Sequence, residues 1–112
     1  MQIKKIYRNI KPELLFDALK DLIVKQGASI SESKMETYSL PDDSSSFISR
    51  GTLMFKTQDK QREIIRGYIV GSAMGETRLM LDIEEELFSR EKVASFQDAL
   101  DFLLGSYEKK SA

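Results

Sequence analysis

The apolar residues of this 112-residue chain change period twice along its length. Leu15, Ala18, Leu19, Leu22 and Ile23 recur at helical spacing; from Phe47 to Ile83 the recurrence is at alternate residues; from Val93 to Tyr107 it is helical again. A helix buries a stripe and a strand buries alternate side chains, so two helical stripes have to share a core with the strands between them. That constraint predicts an α+β fold: a curved antiparallel sheet of about five strands with two helices on one face, in the order β-α-β-β-β-β-α.

Local signals place the elements. Ile3, Ile6, Tyr7 and Ile10 predict a short first strand. Pro12 suits the first turn of a helix, where its missing N–H is no loss, and Glu13 complements the helix dipole. Gly27 stands where a left-handed residue would end that helix. The segment 28–40, rich in Ser and Thr, reads as a half-exposed strand with a bulge, because its apolar residues do not keep one parity. Pro41 to Ser46 reads as a turn or loop. Phe47, Leu53 and Phe55 share a parity in the next strand, and Gln58 to Gln61 form a polar hairpin loop. Beyond it, Ile64, Tyr68 and Val70 fall on one face and Ile65, Gly67, Ile69 and Gly71 on the other. Met74-Gly75 reads as a tight turn before the most regular strand, where Leu79, Leu81 and Ile83 alternate with Arg78, Met80, Asp82 and Glu84. Ser89 and Ser95 both qualify as N-cap of the last helix, whose predicted stripe is Val93, Phe96, Leu100, Leu103 and Tyr107. Residues 1–112 read as a single domain, with a tail from about 108 to 112 expected to fray.

Composition removes several classes of chemistry. Cysteine is absent, and with it disulfides, thiolate chemistry and Cys-based zinc sites. Histidine is absent, which deletes the usual base of hydrolytic triads and the commonest metal ligand. The 17 basic and 18 acidic residues leave a net charge of −1, without the basic excess of a nucleic-acid binder, so no nucleic-acid partner is expected. No apolar run approaches the roughly 20 residues of a membrane span, and the first ten residues lack the pattern of a signal peptide. A soluble, cytoplasmic protein with no membrane partner is the expectation.

Catalysis would fall to carboxylates, lysines, Tyr7, Tyr38 or Tyr68, and no spacing selects a pair among them, which weighs against an enzyme. Asp82, Glu84 and Glu86 would converge on one face of a continuing strand, yet a solvated strand end accounts for them; neither metal nor cofactor is expected. Gly67, Gly71 and Gly75 lie in a strand and its hairpin, whereas a phosphate loop lies between a strand and a helix. They read as a patch without side chains that a helix or a ligand can approach closely.

Residues 10–21, Ile10-Lys11-Pro12-Glu13-Leu14-Leu15-Phe16-Asp17-Ala18-Leu19-Lys20-Asp21, resemble the opening of the START-like, pollen-allergen-like helix-grip superfamily, in which a first strand runs into Pro-Glu and a helix. The segment from Val93 to Tyr107 sits where that superfamily lays its long C-terminal helix over a curved sheet. The element order is similar as well to the saddle-like half domain of TATA-binding proteins. The helix-grip resemblance implies a cavity between the last helix and the sheet, with lipids, polyketides or other apolar molecules as ligands.

The function expected on this basis is non-catalytic binding of a small apolar or anionic ligand between the C-terminal helix and the sheet. Phe55, Arg66, Tyr68, Leu81, Phe96 and Leu103 are the candidate lining. Arg66 and Tyr68 enter on a register argument. A two-residue Met74-Gly75 turn would set Val70 opposite Leu79, Tyr68 opposite Leu81 and Arg66 opposite Ile83, turning both residues inward to hold an anionic group. A register one residue different would turn both outward. The alternative function is a protein-interaction or homodimerisation module without ligand, using the serine-rich strand or the bare glycine face.

Overall fold

Strands and helices succeed one another as β1 (Gln2–Arg8), α1 (Pro12–Lys25), β2 (Ala28–Leu40), β3 (Asp43–Thr57), β4 (Glu63–Gly71), β5 (Glu76–Ile83) and α2 (Arg90–Leu104), with a 3-10 turn at Gly105–Tyr107. The computed structural model describes residues 1–40, 43–59, 61–72 and 75–109. Its five strands form one curved sheet in the order β1-β5-β4-β3-β2, with each neighbouring pair antiparallel. The α+β class and element order predicted from periodicity are those observed. β3 begins at Asp43, so 43–46 extend a strand where a loop was expected; Pro41 and Asp42 of the expected turn lie outside the described residues.

One face of the sheet carries the core. Ile3 and Tyr7 of β1, Leu79, Leu81 and Ile83 of β5, Ile65 and Ile69 of β4, and Leu53 and Phe55 of β3 are all buried in a single cluster. Both helices close on this face. α1 buries Leu15, Phe16, Leu19, Leu22 and Ile23 and lies over β2, β3 and β4. It starts at Pro12 and ends where Gly27 takes φ 97°, a left-handed conformation that a side chain would strain. Its close approach is made at Gly51, where a Cβ would stand 2.8 Å from Cδ2 of Phe16. Gly67 and Gly71 are not approached by a helix: the space a Cβ would take is filled at Gly67 by Leu81 and at Gly71 by Thr77, both of β5.

α2 is capped by Ser89, whose hydroxyl accepts from the Lys92 N–H at 3.3 Å; Ser95, the other candidate cap, lies within the helix and accepts from Gln26. Its buried stripe is Val93, Phe96, Leu100 and Leu104. Leu103, expected in that stripe, is 52% exposed, and Tyr107 lies beyond the helix with 40% of its surface exposed. Helical geometry explains the correction. At about 100° per residue, Leu104 falls about 20° from Val93 around the axis, whereas Leu103 falls about 80° away.

Polar ties lock the edges. Buried Ser49 donates to Glu13 of α1 at 2.9 Å and lies 3.0 Å from the Thr37 hydroxyl, joining α1, β2 and β3. Thr77, fully buried, donates to the Ile10 carbonyl. In place of a frayed end at 108–109, Glu108 bridges to Tyr7, and the Lys109 N–H donates to the Ile6 carbonyl at 2.7 Å. These two residues cover part of the outer edge of β1.

Candidate functional site

The hairpin between β4 and β5 decides which side chains face the core. Its strands end at Gly71 and begin again at Glu76, and the Gly75 N–H donates to the Ser72 carbonyl. The two-residue turn expected at Met74-Gly75 is therefore replaced by a longer connection; Ala73 and Met74 lie outside the described residues. The observed register sets Val70 opposite Arg78, Tyr68 opposite Met80 and Arg66 opposite Asp82. This is one residue away from the expected pairing, and it turns Arg66 and Tyr68 away from the helices. The selection is energetic: this register brings Ile65 opposite Ile83 and Ile69 opposite Leu79 on the buried face, where the other would have buried an arginine.

Of the six residues expected to line an inner pocket, Phe55, Leu81 and Phe96 come together on the helix-covered face, and no solvent-accessible surface remains on any of them. They are sealed in the core, touching no space wide enough for a water molecule. Leu103 sits at the exposed flank of α2, while Arg66 and Tyr68 lie on the opposite side of the sheet. Arg66 forms a two-pronged ion pair with Glu63 of its own strand. That partner raises the guanidinium further above its ordinary value and lowers the Glu63 carboxyl.

The open face of the sheet carries the cavity instead. Strand pairing arranges its side chains in transverse rows. One row runs Ile6, Arg78, Val70, Arg50, Glu36, and the adjacent row runs Lys4, Met80, Tyr68, Thr52, Lys34. At the β1-β5-β4 end of these rows lies a groove of about 760 Å³, open to solvent. Ile6, Tyr68, Val70 and Met80 give it an apolar lining with one phenol, Lys4 and Arg78 stand among them, and Glu108 and Lys109 close the β1 side. Lys109 is paired with Glu76 at 2.9 Å, and Glu76 also holds Arg8 at 3.3 Å, two contacts that lower the Glu76 carboxyl. Lys4 and Arg78 form no ion pair among the described residues. Tyr68, 37% exposed, is the one sequence-predicted residue that lines this groove.

Two titratable groups of β1 lie on its core side, Lys5 at the border of the groove and Tyr7 buried beyond it. Lys5 points toward the helices and pairs with Asp101 at 3.2 Å and Glu108 at 3.0 Å. Burial alone lowers the Lys5 ammonium, but these carboxylates outweigh it and the net shift is upward. Burial pushes the Tyr7 phenol well above its ordinary value, and the charges of Glu108 and Asp101 add to the shift. Both groups keep their neutral-pH protonation and act structurally.

The described residues hold no cluster of three or more acidic side chains able to bind a metal ion. Glu84, Glu85 and Glu86 lie in the turn after β5, with Glu84 accepting from the Glu86 N–H. No helix among the described residues is long and apolar enough to cross a membrane. Lys4, Ile6, Val70, Arg78 and Met80 were not among the candidate lining residues, although the alternation of Arg78 and Met80 with the buried leucines assigns those two to the open face. No protein-family model, no curated protein and no solved structure matches the chain.

Proposed function

We propose that this chain is a non-catalytic binding domain for a small amphipathic anion, an aliphatic or aromatic carboxylate or phosphate, held on the open face of the sheet. One observation carries the reading: an apolar groove of about 760 Å³, within the usual range for small-molecule sites, contains two cations without counter-ions among the described residues. Apolar area removed from water supplies affinity, and an anion answering Lys4 and Arg78 supplies orientation. Tyr68 adds a ring face and a hydroxyl at the floor. The binding role expected for helix-grip-like domains is kept, and its ligand moves from beneath α2 to the opposite side of the sheet.

The experiment is a thermal-shift and calorimetric comparison of medium-chain fatty acids, naphthoate and alkyl phosphates with uncharged alcohols of the same carbon skeleton. A ligand that prefers the folded state raises the melting temperature by mass action. The anions should do so, and Arg78→Gln should reduce the shift while leaving the unliganded melting temperature unchanged. Alcohols as effective as the acids, or a shift unaffected by Arg78→Gln, would overturn the reading.

A further inference from the structure

The two edges of the sheet are treated differently. β1 is covered in part by Glu108 and Lys109, whereas β2 pairs only with β3 and receives no other backbone hydrogen bond among the described residues. An uncovered edge thirteen residues long is a template for another strand.

Its irregularities divide that edge. Register shifts interrupt the β2-β3 ladder between Ile30 and Glu32 and again between Ser39 and Leu40. At the first, the Ser31 hydroxyl donates to the Met54 carbonyl. Between them 32–39 is regular, with Met35 and Glu36 at its middle. Antiparallel pairing of this segment with a second copy of itself about Met35 sets Lys34 opposite Glu36, Ser33 opposite Thr37 and Glu32 opposite Tyr38. Lys34 and Glu36 already form an ion pair within one strand on the open face. Two copies would close a square of alternating charge, with each Lys34 between two glutamates.

Neighbouring registers lose this. Centring on Lys34 sets Lys34 against itself and Glu32 against Glu36; centring on Glu36 sets Glu36 against itself. Like charges directly opposite are unfavourable, and opposite charges favourable. We propose that this chain forms a two-fold homodimer by antiparallel pairing of β2 with β2 of a second copy, centred on Met35, joining the two sheets edge to edge. The proposal is independent of the groove, which lies at the β1-β5-β4 end of the sheet.

Two measurements test it on the intact chain. Because the protein has no cysteine, Met35→Cys introduces a single thiol. Directly opposed residues in an antiparallel pair lie about 4.5–5.5 Å apart at Cα, within disulfide reach. Met35→Cys should therefore cross-link between copies on mild oxidation. Thr37→Cys should not, because its counterpart lies four residues along the strand, about 13 Å away.

Sedimentation supplies the second measurement. Lys34→Glu and Glu36→Lys should each weaken dimerisation by about ten-fold or more, and an equimolar mixture of the two variants should regain it, since every opposed pair is again of opposite sign. Recovery on mixing also shows that both variants are folded. Wild-type protein that stays monomeric up to millimolar concentration overturns the proposal. So does a dimer indifferent to both charge changes, or equal cross-linking at positions 35 and 37.

Discussion

Phe16 of α1 rests on Gly51 of β3, with its Cδ2 2.8 Å and its Cε2 3.1 Å from the place a Cβ would occupy. Phe16 is itself buried, and Met35 Cε closes the same site at 3.1 Å, so the ring has little room to retreat. Gly51→Ala should lower stability by about 1–3 kcal/mol through overpacking, despite the better strand propensity of alanine. Gly51→Val should cost more. Denaturant midpoints measure both; an unchanged or raised midpoint for Gly51→Ala would show that α1 can lift from the sheet at no cost.

Leu103 and Leu104 are adjacent in sequence and opposite in consequence. Leu104 is buried and Leu103 half-exposed, while Phe102 beside them is 89% exposed. Leu104→Ala should destabilise by about 2–4 kcal/mol, as truncations in a packed site do, and Leu103→Ala by less than about 1 kcal/mol. Phe102→Ala should leave the unfolding midpoint unchanged. Equal losses at 103 and 104 would mean that α2 is turned about its axis so that both leucines share the contact with the sheet.

These contrasts mark the boundary of what sequence could say. Period alone told helix from strand, because burial of a stripe or of alternate residues leaves its own spacing in the chain, and so the order of elements was legible. The stripe of α2 was less so: Leu103 and Leu104 are equally apolar, and it is their angular distance from Val93 around the helix axis that separates them. The open-face site was hidden by a different cause. Whether Tyr68 faces Leu81 or Met80 depends on the connection after Gly71, and local turn chemistry at Met74-Gly75 favoured the wrong count. The global demand to bury Ile65 and Ile69 together with Leu79 and Ile83 overrode it. Arg78 and Met80 were visible as outward residues of an alternating strand, whereas the Lys4-Lys5 pair blurs the alternation of the first strand, and nothing in a sequence marks which solvent-facing residues border a groove.

Stability should fall at alkaline pH. Lys5 and Tyr7 both have folded-state values raised above their ordinary ones of 10.5 and 10.0. For Lys5 the ammonium pairing with Asp101 and Glu108 is fully present below the unfolded value and is lost as pH rises through the folded one. For Tyr7 the buried neutral phenol is favoured, so above the unfolded value the unfolded chain gives up its proton more readily, and stability again declines. The two act in the same direction. Melting temperature should be level between pH 7 and 9, insofar as these groups determine it, and should drop above about pH 10. Tyr7→Phe should make that drop shallower. A variant with the wild-type alkaline slope would assign the decline to other groups.

The groove's cations make a prediction about salt and about the size of the partner. Lys4→Gln and Arg78→Gln should each weaken binding of an amphipathic anion by about five- to ten-fold, the modest effect expected for solvated charge-assisted contacts, and added salt should reduce wild-type affinity. Tyr68→Ala should weaken binding of aromatic acids more than that of aliphatic ones, because only the former gain from the ring face. Extended polyanions should fail. On the same open face Glu36 lies opposite Arg50 and Asp82 opposite Arg66, with Glu32 opposite Met54 and Glu76 beside Arg8, so no uninterrupted row of cations is available among the described residues to follow a phosphate backbone. Duplex DNA titrated at low salt, where screening is weakest, should show no binding comparable to that of the small anions. Tight DNA binding lost steeply with salt, together with its loss in Arg50→Gln and Arg78→Gln, would transfer this face from a small-molecule site to a nucleic-acid surface.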